Sequence, residues 1–153
     1  MLATGAVVVT TFSLSAGSAS ASDYYSSLQN AKSKRCLSIS GGGSTADGAN
    51  AIIYDCNGGA EQYWDFRSTE EIINSKSGKC LSTASGGGTD NGTEVIQWTC
   101  NGGSEQRWGI TLYNEYINIK SGKCMSTASG GGTDNNTRVV IWSCNGGSEQ
   151  AWY

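Results

Sequence analysis

Residues 80–108 read CLSTASGGGTDNGTEVIQWTCNGGSEQRW, and residues 124–152 read CMSTASGGGTDNNTRVVIWSCNGGSEQAW. The two stretches lie 44 residues apart and differ at seven of 29 positions. A more diverged copy runs from Cys36 to Trp64 and keeps Cys-Leu-Ser, a glycine run, Cys56-Asn57-Gly58-Gly59 and Gln62-Tyr63-Trp64. Its glycine run, Gly41-Gly42-Gly43, is displaced by one residue relative to the others. Cys36, Cys80 and Cys124 keep the step of 44, as do Cys56, Cys100 and Cys144, and Trp64, Trp108 and Trp152. A period held through three copies means three equivalent structural units, and this decides the fold before any local propensity is weighed.

Each unit reads as four short strands. In the second they are expected near Ile72–Ser75, Lys79–Thr83, Glu94–Thr99 and Gln106–Ile110. Turn chemistry separates them: Ser77-Gly78, Gly86-Gly87-Gly88 with Asp90-Asn91-Gly92, and Asn101-Gly102-Gly103. Three units give twelve strands in an all-β chain, and no segment has helical periodicity over a dozen residues. A propeller blade has a similar period, but propellers need at least four blades, and the paired glycine-histidine and tryptophan-aspartate signature is missing.

Composition narrows the function. A formal charge of −3 and a pI near 4.8 argue against nucleic acid, which requires a basic face. No basic amphipathic helix suggests a membrane surface. Residues 1–21 differ from the rest: Ala6 to Leu14 is apolar and uncharged, and Ala19-Ser20-Ala21 follows as a cleavage signature. They are expected to be a secretory signal peptide cut after Ala21. The run is too short to span a bilayer, so membrane insertion is not expected. No Lys or Arg precedes the run, and a start upstream of Met1 would supply one. The remaining 22–153 form one domain, with repeats at about 22–65, 66–109 and 110–153.

Export suits six cysteines in a short chain. Threefold repetition leaves two natural pairings, one within each unit and one across units. Local loop closure favours the first, and each bridge would add about 3 kcal/mol. With no histidine and no C-x-x-C, zinc is disfavoured, and no cofactor is expected.

The order G-K-C-L-S, G-G-G-T-D-N, W-T-C-N-G-G-S-E-Q-x-W resembles the repeat of ricin-type lectins and of family 13-like carbohydrate-binding modules, over Tyr24 to Tyr153. The resemblance implies a β-trefoil with pseudo-threefold symmetry and one disulfide per repeat: Cys36–Cys56, Cys80–Cys100 and Cys124–Cys144. It implies that Gln62, Trp64, Gln106, Trp108, Gln150 and Trp152 are structural, the tryptophans in the core and the glutamines on nearby backbone. It also implies one shallow sugar pocket per unit, its stacking aromatic two residues before the second cysteine. Those positions hold Tyr54, Trp98 and Trp142. An aromatic covers the C–H face of a sugar while carboxylates and amides take its hydroxyls.

The polar wall departs from that family. Aspartate is typical two residues after the first cysteine, where this chain has Ser38, Ser82 and Ser126. Asparagine is typical before Gln-x-Trp, where this chain has Glu61, Glu105 and Glu149. Both exchanges occur in every unit, so the expectation is a carboxylate moved from one wall to the other, with serine assisting. The competing reading is three inactive pockets on an intact scaffold. Asp90, Asp134 and Asp47 read as turn formers. Unit one, with Tyr54, Ala46 and its displaced turn, is expected to bind more weakly.

Catalysis is not expected. Without histidine neither a Ser-His-Asp nor a Cys-His site exists. A glycosidase needs two carboxylates about 5–10 Å apart, whereas the three glutamates belong to separate units. The leading expectation is a secreted, monomeric lectin whose partner is a glycan or polysaccharide. The alternatives are a trefoil with degenerate pockets acting as a protein-binding or protease-inhibitor module, and a carbohydrate-binding module serving an enzyme on another chain.

Overall fold

A computed structural model describes residues 24–153. Residues 1–23, with the expected signal peptide and its cleavage site, lie outside the described residues. Eleven strands follow in order: β1 Tyr24–Ser27, β2 Cys36–Ile39, β3 Ala51–Tyr54, β4 Tyr63–Phe66, β5 Ile72–Asn74, β6 Cys80–Thr83, β7 Val95–Trp98, β8 Trp108–Ile110, β9 Tyr116–Asn118, β10 Cys124–Thr127 and β11 Val139–Trp142. The expected twelfth is reduced to bridges at Ala151 and Trp152, beside the chain end.

Two groups of strands make the trefoil. Pairings run round a ring of six segments: β1 with β4, β4 with β5, Glu71 with Arg107, β8 with β9, Glu115 with Ala151, and Trp152 back to Asn30. Three hairpins, β2–β3, β6–β7 and β10–β11, cover one end of the ring. The hairpins are joined through Asn50 with Ile96, Glu94 with Val140, and Ile52 with Arg138. Inside lies one core, built from Leu37, Leu81, Met125 and their symmetric neighbours with Trp64, Trp108 and Trp152. Each tryptophan is nearly sealed, and its indole N–H donates to a core-strand carbonyl: Leu37, Leu81 and Met125 accept at 3.2, 3.0 and 3.0 Å. A buried indole needs such a partner, which fixes both the ring and the strand it reaches.

The disulfides close within units, Cys36–Cys56, Cys80–Cys100 and Cys124–Cys144. The strand bounds expected for unit two hold to within one residue except at the Gln-x-Trp strand. Gln106 belongs to a 3-10 turn, Ser104–Gln106, and the strand begins at Trp108. The glutamine side chain bonds the backbone of Thr99 and Asn101, seven and five residues earlier, and so holds the chain curled before the strand.

The displaced turn expected in unit one is corrected. The turns Ser40–Gly43, Ala84–Gly87 and Ala128–Gly131 keep the step of 44, with φ of +68° at Gly41 and +58° at both Ser85 and Ser129. Ser85 and Ser129 adopt a left-handed conformation that Gly41 enters without steric cost, so the glycine run slides in sequence while the backbone stays in register. The turn-forming role of the acidic loop is visible in the next unit. Asp47 accepts from Thr99 N at 2.7 Å, Asn91 from Ser143 N at 2.9 Å and Asn135 from Asp55 N at 2.8 Å. Asp90 and Asp134 accept through their carbonyls from Thr93 and Thr137.

Candidate functional site

Alternation along the hairpins sets the site. In β6–β7, Cys80 lies opposite Trp98 and Ser82 opposite Ile96. Residues opposite one another share a face, so Ser82, Ile96 and Trp98 point outward while Leu81 and Val95 point into the core. Trp98 and Trp142 are 44% and 46% exposed, and Tyr54 38%, which suits a platform and not a core residue. Ser38, Ser82 and Ser126 are nearly sealed on the floor, and the hydroxyls of Ser82 and Ser126 donate to the next carbonyl.

The glutamate wall is built from below. Gln106 Oε1 accepts from Asn101 N at 2.8 Å and its Nε2 donates to Thr99 O at 3.1 Å. Gln62 and Gln150 repeat both bonds in their units. The clamp draws the Asn-Gly-Gly turn inward and leaves the preceding glutamate half-buried over the pocket. Gly103 leaves room for that carboxylate, because a Cβ would stand 2.2 Å from Glu105 Oε1 and displace it. Asn101 and Asn145 donate to the carboxylates of Glu105 and Glu149 at 3.3 and 3.1 Å.

The structure therefore brings the nine sequence-derived residues together in threes. Ser38, Tyr54 and Glu61 line one cavity of about 450 Å3, with Asn57. Ser82, Trp98 and Glu105 line a second of about 360 Å3, with Asn101. Ser126, Trp142 and Glu149 line a third of about 580 Å3, with Asn145. The glycine turn forms the remaining wall of each.

Sequence reasoning missed what the neighbouring units supply. Asn74, Asn118 and Asn30, all fully buried or nearly so, donate at 2.9 Å to the backbone carbonyls of Glu61, Glu105 and Glu149. Lys76 and Lys120 donate to the carbonyls of Gly42 and Gly86 in the turns. On the opposite side, Gly48 lies beneath Trp98 and Gly92 beneath Trp142, where an added Cβ would sit 3.7 Å from each indole. Each pocket is thus assembled from its own unit, the turn before and the strand after. The signal was available: these asparagines and lysines also recur at steps of 44.

Comparison with known proteins agrees with this geometry. The family model for the ricin-type beta-trefoil lectin domain matches residues 24–152. Among solved structures, the designed threefold-symmetric protein ThreeFoil is 30% identical, with a TM-score of 0.77 over 84% of this chain and 95% of that one. An exo-beta-1,3-galactanase from Clostridium thermocellum is 25% identical, with a TM-score of 0.75 over 88% of this chain and 30% of that one. The agglutinin of Abrus precatorius is 22% identical and shares the fold, with a TM-score of 0.78 over 91% of this chain and 51% of that one. The chain thus spans under a third of the galactanase and about half of the agglutinin. No curated protein matches.

Proposed function

The chain belongs to the ricin-type β-trefoil lectin family, and on that premise we propose that it is a secreted, non-catalytic carbohydrate-binding protein with up to three shallow sugar sites, one per unit. The observation that carries the reading is the repeated convergence of an exposed aromatic face, a glutamate carboxylate and an asparagine amide on one cavity. A sugar laid on Trp98 or Trp142 buries its C–H face, and its hydroxyl edge then meets the carboxylate of Glu105 or Glu149. Such charge-assisted bonds are the stronger kind. The carboxylate that family relatives carry after the first cysteine would act here from the opposite wall. The buried serine leaves the floor uncharged.

Secretion is part of the proposal. It is supported by the apolar run and Ala19-Ser20-Ala21, and by three disulfides that suit an oxidising compartment. Absence of catalysis is supported by the lack of histidine and by the assignment of each glutamate to its own pocket. A glycan that spans several pockets would gain avidity from weak single sites.

The test is a glycan array on the chain from Ser22 onward, followed by calorimetry with the best glycan. Glu105→Gln with Glu149→Gln is expected to reduce affinity at least tenfold. An empty array, or unchanged affinity in the double variant, refutes the carboxylate-centred site.

A further inference from the structure

Positions 50, 94 and 138 are equivalent in the three units, yet they hold Asn, Glu and Arg. They meet where the hairpins join, and the guanidinium of Arg138 pairs with the carboxylate of Glu94. In the amide orientation that satisfies both ends, Asn50 donates to Glu94 Oε2 at 3.1 Å and accepts from Arg138 Nη1 at 2.9 Å. Arg138 and Glu94 remain 52% and 39% exposed at their side chains.

The floor residue beside this cluster also differs. Ile52 and Ile96 stand in the first two cavities, and Val140 stands in the third, one carbon shorter. The third cavity runs past Val140 to Arg138 and Glu94, neither of which lines the other two. It is the largest of the three, about 580 Å3 against about 450 and 360 Å3.

We propose that the third unit carries a second subsite, formed by Arg138 and Glu94 next to Val140, that takes the second residue of a neutral saccharide whose first residue lies on Trp142. The inference rests on the sugar-binding reading above. Guanidinium N–H groups and carboxylate oxygens side by side match a pair of sugar hydroxyls, one accepting and one donating. An acidic sugar is disfavoured, because Glu94 neutralises Arg138 and would face the incoming carboxylate.

The test isolates the third cavity with Tyr54→Ala and Trp98→Ala and titrates it with galactose, glucose, mannose and xylose, each as mono-, di- and trisaccharide. For at least one series the disaccharide is expected to bind about tenfold tighter than the monosaccharide, the yield of one or two added charge-assisted bonds. Val140→Ile and Arg138→Gln, both checked for native near-ultraviolet circular dichroism, are each expected to remove that gain, and Arg138→Gln is expected to keep monosaccharide binding. Should Val140→Ile misfold, Arg138→Gln alone decides. Equal binding of mono- and disaccharides, or a gain that survives Arg138→Gln, overturns the subsite and leaves the lectin reading standing. No binding by any probe, in a chain that also fails on the glycan array, overturns both.

Discussion

The side chain of Asn118, in unit three, donates to the backbone carbonyl of Glu105, in unit two, at 2.9 Å. Asn118 is fully buried, and its Oδ1 accepts from Ser121 N at 3.2 Å. One side chain therefore ties a pocket wall to the following strand. Asn118→Ala strips partners from two backbone groups, and an unpaired buried polar group costs about 1–3 kcal/mol. The expected result is that loss in urea unfolding with disulfides intact, together with weaker binding at the second pocket. Binding that survives while stability falls would show that Asn118 holds the fold but does not position Glu105.

Two kinds of tryptophan should respond oppositely to truncation. Trp108→Ala empties the core and removes the bond to Leu81, and large aromatic truncations of this sort cost about 3–5 kcal/mol. Trp98→Ala and Trp142→Ala remove residues nearly half in solvent, so stability should change by roughly 1 kcal/mol or less while sugar affinity falls below detection at that pocket. Denaturant midpoints and calorimetric binding on the same samples separate the two effects.

This division explains how much of the protein was legible in the sequence. Period and cysteine spacing imposed three units, and the resemblance to the ricin-type repeat assigned Trp108 to the core and Trp98 to the pocket. The grouping of Ser82, Trp98 and Glu105 followed from the positions at which that family carries its sugar-contacting residues. Contacts between units were not legible from one repeat, since Asn118, Lys120 and Gly48 reach their pockets only once the ring closes. The turn Ser40–Gly43 misled for another reason. Glycine content marks where positive φ is comfortable, whereas the tertiary frame decides where it is used.

Thr83 and Thr127 offer a route to a more stable chain. Both are buried to 2% exposure, and neither Oγ1 meets a hydrogen-bond partner among the described residues. Unit one holds Ile39 at the equivalent place, within the core. Thr83→Val and Thr127→Val keep the shape and delete an unpaired hydroxyl, a change worth up to about 1–3 kcal/mol each. The double variant should unfold at higher urea concentration, and a lower midpoint would mean that the hydroxyls are partnered in solution.

Asp47 should leave a trace in the acid limb of stability. Partial burial pushes its carboxyl up, but the Thr99 hydroxyl and N–H, then Lys79 at 3.3 Å, outweigh that and hold it below the ordinary value of 3.8. A carboxyl depressed in the folded state stabilises fully above its unfolded value and loses that contribution as pH falls through the lower folded value. Asp47→Asn keeps an acceptor for Thr99, as Asn91 does for Ser143, but removes the titrating charge and the Lys79 pair. The native chain should therefore be the more stable of the two at pH 6, with the gap narrowing below about pH 4 as the carboxyl protonates. Thermal midpoints from pH 2 to 6 measure this directly. A gap constant across that range would mean that the latch works through its neutral hydrogen bonds alone.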